Sequence, residues 1–381
     1  MKMKIVLDEN IENAPEAFGT LGETVLHHGR KITNELLRDA DALIVRSITK
    51  VDRELLEGTR VKFVGTATIG TDHIDRAWLA ERGTGFTSAK GCNSDAVAEY
   101  VFTTMFRAAV VSGVSLRGKR IGIVGCGNIG SRVERIAKAF GFEVAISDPP
   151  RERAEGPSGF APLDEVLASD IVTFHTPLNR GGSDNTFHLL DQSNMNLLKP
   201  GAIVINASRG EVIDNKAFIP VVDEKGIIAI IDVWEGEPVF MEGMLERSFI
   251  ASPHVAGYSL EGKINGTTMV YDALCEFLGV EKKWRPHFPP VVENTIQFRD
   301  EGSFERTIET ILTSVYEPEN DTAAMRDASL LSGEERGARF DGLRKNYRLR
   351  REFNNYTIEG EISEPAIKAG LEALRFNFEG D

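Results

Sequence analysis

Cysteine is scarce in this sequence. The 381 residues hold three, Cys92, Cys126 and Cys275; they are odd in number, far apart and without a C-x-x-C pair, which argues against a disulfide framework or a thiolate zinc site and for reduced thiols in a cytoplasmic setting. Positive charge is also in short supply. With 44 Lys and Arg against 58 Asp and Glu, the formal net charge is -14, and no basic stretch dominates, so nucleic acid and anionic membrane surfaces are poor partners. The same field repels a small anionic substrate, so a site for one needs its own cluster of Arg, Lys or backbone N–H groups. Long apolar runs are missing too. The most apolar helical stretch, residues 96–111, carries Glu99 and Arg107, which are costly in lipid, and the N-terminus enters the strand-like KIVLD without an apolar leader.

The hydrophobic fraction of 41% and charged fraction of 27% are those of an ordinary soluble globular protein. The length exceeds what one core supports, so two or three domains are expected. Short β-rich runs alternate with helical stretches from the start: residues 4–8, 23–28, 42–47, 63–68 and 85–89 read as strands, and Thr33 and Asp52 as N-caps of short helices. After a helix at 94–111 the alternation restarts with strands at 120–124, 143–148, 170–175, 202–207 and 227–233. These runs are apolar on both faces, as in a doubly wound parallel sheet. A long helix at 259–279 ends at the proline-rich RPHFPP, 285–290, a boundary signal. Beyond it the pattern becomes α+β, with helices at 303–316, 321–330 and 334–348. A unit of that size with few strands buries little surface alone, which favours pairing with a second chain.

IGIVGCGNIG, residues 121–130, sets Gly125, Gly127 and Gly130 directly after a strand and at the start of a helix. In that context the first glycine permits a tight turn, the second admits a pyrophosphate to the backbone, and the third lets helix and strand pack closely. Asp148 ends the next strand, where a carboxylate grips ribose hydroxyls and repels a 2′-phosphate, so NAD is expected over NADP. The plain alternative for Asp148 is a turn former before Pro149 and Pro150. Cys126 reads as a small turn residue rather than a reactive thiol. Three further polar groups follow buried runs: Arg209 in INASRG, Glu237 in DVWEGEP and His254 in SPHVAG. Beyond the carboxyl ends of such strands, an Arg can clamp a carboxylate, a His can take a hydroxyl proton and a Glu can steady the imidazolium. Each alone has an ordinary structural reading. Together, behind a nucleotide loop, they point to hydride transfer from an alcohol.

GCGNIG, Asp148, HTPL (175–178), NASRG, DVWEGEP and SPHVAG make the sequence resemble the D-2-hydroxyacid dehydrogenase family over residues 1 to about 280. The resemblance implies an α/β protein with two doubly wound parallel-sheet domains: a flavodoxin-like substrate (lid) domain over 1–93, completed by helix 259–284, and a Rossmann NAD domain over 94–258. A small α+β domain for dimerisation, 285–381, would follow. It further implies catalysis by Arg209, Glu237 and His254, with cofactor contacts from Asn128, Ile129, Asp148, Thr176, Ala207, Ser208, Asp232 and Gly257. GTATIGTDHID (65–75), VRSITKV (45–51), Tyr258 and the separate tail resemble a branch acting on 4-phospho-D-erythronate, with substrate contacts from Ser47, Thr68 and Tyr258. Relatives acting on 3-phosphoglycerate, glycerate or lactate, or an NAD-sensing interaction protein on the same fold, remain open alternatives. The basic run RKNYRLRR, 344–351, is either a solvated helix face or, with Arg46, a source of charge for a substrate phosphate.

Overall fold

The computed structural model describes residues 3–380. The chain forms two compact units, one from residues up to Asn93 together with Ser259–Pro289, the other from Ser94–Tyr258 together with residues from Pro290 on.

The first unit is built on strands β1 (Met3–Asp8), β2 (Gly22–His27), β3 (Ala42–Val45), β4 (Phe63–Thr66) and β5 (Gly85–Ser88). They pair in parallel in the order β2-β1-β3-β4-β5, the flavodoxin-like arrangement. β3 and β4 are buried along their whole length, which explains the wholly apolar sequence of β3 and the absence of charge in β4. Thr33 and Asp52 do cap short helices, accepting from Leu36 N–H at 3.4 Å and Leu55 N–H at 3.1 Å. The helix Leu260–Leu278 starts on the Ser259 cap and stops at Gly279, whose φ of 66° suits glycine. It delivers Val270, Tyr271, Leu274 and Cys275 to a core with Ile5, Leu7 and Phe63. Gly65 makes this possible, because a Cβ there would fall 2.3 Å from Val270.

The second unit is a Rossmann-like sheet of β6 (Arg120–Val124), β7 (Glu143–Ser147), β8 (Ile171–Phe174), β9 (Ile203–Asn206), β10 (Ile228–Ile231) and β11 (Ser248–Ala251), all parallel, ordered β11-β10-β9-β8-β6-β7. The direction of strand addition reverses between β6 and β8, so the loops leaving those strands flank the crevice where α/β proteins bind ligands. A strand beyond β7 is reduced to one backbone bond, Ala161 N–H to Ile146 O at 2.7 Å. The sequence reading had no strand at β11. That segment is only four residues long and follows directly on a helix, Glu242–Arg247, too short for a pattern of its own.

The residues after Pro290 contribute helices Phe304–Val315, Pro318–Ser329, Gly333–Lys345 and Pro365–Ala373 and a three-stranded parallel sheet, β12 (Thr295–Gln297), β13 (Thr357–Glu359) and β14 (Asn377–Phe378). Part of their apolar surface is covered from within the chain. Phe304, Ile308, Ile311, Leu312 and Tyr316 share one core with Phe102, Phe106 and Phe140, and the Phe304 ring meets Phe106 and Phe140 edge-on at 5.8 and 6.2 Å. Each such buried side chain contributes on the order of 2 kcal/mol. Gly370 is needed on the helix Pro365–Ala373, since a Cβ would strike the Phe140 ring at 2.0 Å.

Charge fastens the same junction. Arg350, 4% exposed, donates to Ala256 O at 2.9 Å and Ala96 O at 2.8 Å and pairs with Glu99 at 3.4 Å, while Phe353 N–H donates to Glu99 at 2.8 Å. The basic run 344–351 is divided: Lys345, Arg348 and Leu349 are exposed, Arg350 and Arg351 are buried, and Arg348 is paired with Asp321. Arg348 and Arg350 meet carboxylates from distant sequence, which a local charge pattern cannot reveal.

Candidate active site

β6 ends at Val124 and the chain turns through Gly125 at φ 86°. A Cβ on Gly125 would sit 2.8 Å from the Thr176 methyl and 3.0 Å from the His175 carbonyl; one on Gly130 would sit 2.1 Å from Gly125 O. These two glycines are demanded by the protein's own packing. Gly127 is different: a Cβ there would meet nothing within 4 Å, and it is exposed at the start of the helix Gly130–Ala139, where free N–H groups favour phosphate. Gly127→Val should leave the melting temperature near wild type but weaken NADH binding at least roughly tenfold by blocking backbone approach. Gly130→Val should lose both, by thermal melts and fluorescence titration.

Asp148 binds the loop to the next helix. Its Oδ2 accepts from Cys126 N–H at 2.7 Å and its Oδ1 from Arg151 N–H at 3.1 Å, so it is at once the helix cap and the acid at the end of β7. Arg151 is tied to Cys126 O and to Glu155. Burial, with Glu134 close by, pushes the Cys126 thiol up to about 12, so it is an inert turn residue. Thr176 Oγ1 is buried without a protein partner. A glycine cradle, an acid at the strand end and an orphaned hydroxyl at the switch point together fit a dinucleotide. His175 plays no proton-transfer part, because burial holds its pKa down at about 3.

The residues after β9, β10 and β11 lie against one another. Asn206 holds the β9 turn, donating to Arg209 O at 2.9 Å and accepting from Ser208 N–H at 3.1 Å. Ala207 and Ser208 are buried; the Arg209 side chain is half-buried and donates to Ser208 O. A Cβ on Gly210 would strike the Trp234 carbonyl at 2.0 Å, so NASRG rests directly on DVWEG. Asp232, 2% exposed, organises the β11 turn by accepting from Ser252 Oγ at 2.6 Å and from Val255 and Ala256 N–H at 2.7 and 3.1 Å. Tyr100 shares a bond with Ser252 at 2.8 Å. Held this way, His254 adopts φ 58° and its Nδ1 meets Glu237 Oε1 at 2.8 Å. Burial pushes the Glu237 carboxyl up, but His254, Arg344 and Arg209 outweigh it and keep it below the usual carboxylate range. His254 and Glu237 are thus paired, with Arg209 in the electrostatic field of Glu237.

Gly257 and Tyr258 continue this turn; the Tyr258 ring meets Tyr347 edge-on at 5.9 Å. Asn128 and Ile129 lie in the exposed loop that opens the helix at Gly130. In the other unit Ser47 is exposed in the turn after β3, next to Arg46. Thr68, after β4, shares a bond with Thr66 Oγ1 at 2.7 Å and donates to Gly70 O at 3.2 Å. Arg344 escaped sequence reasoning as an individual residue, since it was one cation among several in a basic run.

This parallel-sheet architecture, with its dinucleotide loop, defines an NAD-dependent oxidoreductase of the 2-hydroxyacid class. Residues 93–256 match the D-isomer specific 2-hydroxyacid dehydrogenase NAD binding domain, and residues 288–374 match a domain of unknown function, DUF3410. The NAD+-bound 3-phosphoglycerate dehydrogenase of Entamoeba histolytica is similar at TM-score 0.63 and 26% identity, over 73% of this chain and 96% of its own. D-Lactate dehydrogenase of Aquifex aeolicus shares the fold at TM-score 0.59 and 22% identity, over 72% and 95%. Similarity over the whole length is to erythronate-4-phosphate dehydrogenases: that of Marinobacter nauticus is 42% identical over 98% of this chain and 99% of its own, and that of Proteus mirabilis is 42% identical over the same shares. The chain belongs to the erythronate-4-phosphate dehydrogenase family. Among the described residues no helix is long and apolar enough to cross a membrane.

Proposed function

We propose that the protein oxidises 4-phospho-D-erythronate at C2 to 2-oxo-3-hydroxy-4-phosphobutanoate in pyridoxine biosynthesis, with His254 as the base. The observation that carries this reading is the His254–Glu237 pair with Arg209 in its field. Because Nδ1 is engaged by Glu237 at 2.8 Å, Nε2 is the nitrogen left to accept the C2 hydroxyl proton. Glu237 orients the ring and stabilises the imidazolium that results. Arg209 clamps the C1 carboxylate and steadies the oxygen at C2 as it becomes a carbonyl. NAD, when bound, would supply the hydride acceptor for C2. Gly125, Gly127, Asn128, Ile129, Gly130, Asp148, Thr176, Ala207, Ser208, Asp232 and Gly257 would hold the cofactor; Ser47, Thr68 and Tyr258 would contact substrate.

The test is an NADH-absorbance assay with 4-phospho-D-erythronate against 3-phosphoglycerate. Preference for the latter, or turnover of neither, would overturn the reading. Glu237→Gln removes the charge that favours the protonated ring. Its kcat should fall roughly 10²-fold with NADH binding near wild type. An unchanged kcat would detach Glu237 from the proton transfer. Cytoplasmic location and a homodimer formed through the residues after Pro290 belong to the same proposal, supported by the reduced cysteines and by Val292, Leu330 and Leu349, which are 94%, 85% and 71% exposed. A chain cut near Pro290 that stayed dimeric on a sizing column would remove the dimer assignment.

A further inference from the structure

The proposed substrate carries two anionic ends, and Arg209 accounts for one. We propose that Arg344, near the end of the helix Gly333–Lys345, together with Tyr258 forms the subsite for the substrate's phosphate, so that the C-terminal segment is a specificity element; this rests on the function proposed above.

Four observations converge on Arg344. Its guanidinium carbon lies 6.0 Å from the centre of the Tyr258 ring, four residues from His254. It stands in the electrostatic field of Glu237 and Asp232 as well as Tyr258, so it faces the groups proposed to carry out the chemistry. Its Nε is buried and has no protein partner, leaving a donor of the guanidinium fork unspent. The neighbouring arginines are committed elsewhere, Arg348 to Asp321 and Arg350 to Glu99, Ala96 and Ala256.

A phosphomonoester carries about −1.5 to −2 charge at pH 7 and is best met by a planar guanidinium fork with a phenol beside it. In a chain of net charge -14 a local cation is required to admit it at all. Arg344 supplies that cation beside Tyr258 and within the electrostatic reach of Glu237.

The experiment compares Arg344→Gln with wild type on 4-phospho-D-erythronate and on unphosphorylated D-erythronate at high concentration. Loss of a charged hydrogen-bonding partner should lower kcat/KM for the phosphorylated substrate roughly 30- to 100-fold, mostly through KM, and lower it on the unphosphorylated one by much less. An equal fall on both substrates would make Arg344 a positioning residue for Glu237, and no fall on either would make it structural; both results overturn the proposal. Should Arg344→Gln fail to fold, as judged by its melt, Arg344→Lys decides: charge is kept but the fork is lost, and only the phosphorylated substrate should suffer. If wild type oxidises neither compound, the function reading itself has failed. The subsite is then tested alone by calorimetric titration of inorganic phosphate into the NAD-loaded protein, where wild type should bind it and Arg344→Gln should not.

Discussion

Replacing His254 by Ala is expected to lower kcat about 10³-fold, within the range a positioned general base contributes, while NADH binding stays near wild type. The expectation follows from the two faces of the imidazole: Nδ1 is held by Glu237 at 2.8 Å, and Nε2 alone is left for the substrate hydroxyl. The side chain is aimed by its backbone. His254 sits at φ 58°, pinned by its N–H bond to Asp232 O at 2.7 Å, in a region Ala occupies at a cost of roughly 1–2 kcal/mol. Asn tolerates that conformation but offers no base, so His254→Asn separates chemistry from strain. Both variants should lose turnover alike, and near-normal kcat in either at its optimum pH would end the assignment.

Arg350→Ala is expected to destabilise the fold by about 3–5 kcal/mol, the usual consequence of removing one member of a buried ion pair, with KM of the folded enzyme unchanged. Arg350 satisfies the Ala96 and Ala256 carbonyls and Glu99 in a region closed to water. Burial and the neighbouring Glu352 push the Glu99 carboxyl up to about 8, with Arg350 opposing them. Without Arg350 the two carbonyls lose their donor and Glu99 loses a counter-charge. Adding Glu99→Gln to the variant should recover part of the loss, because a neutral amide no longer meets Glu352 as a like charge. Thermal and denaturant melts measure both effects. A single variant as stable as wild type would show that the clamp contributes nothing, and a raised KM would return Arg350 to the substrate site.

Much of this protein could be read locally. The mostly apolar runs at β8 and β9 identified buried parallel strands, because crossover helices cover both faces of such a sheet. The glycines of 125–130 followed by Asp148 identified the dinucleotide loop, since Gly125 and Gly130 answer demands of their immediate neighbours while Gly127 leaves open space. β11 was not legible, being four residues long and continuous with a helix. The role of Asp232 was only half legible: a cofactor contact was anticipated, but its bonds to Ser252, Val255 and Ala256 also make it the peg that sets His254 in place. The run 344–351 was the least legible, because identical arginines in one short stretch have different partners.

By itself the sequence determined the chemistry available: a nucleotide loop, an acid at the end of β7, and an Arg, a Glu and a His beyond three buried runs. These are local facts, written in patterns a few residues long. Tertiary structure alone decided which charges meet. Arg350 closes on Glu99 from a segment anchored by Phe353, and Arg344 turns toward Tyr258 and Glu237 on a helix packed through Phe340 against Phe240; packing of that kind joins residues that no sequence period relates.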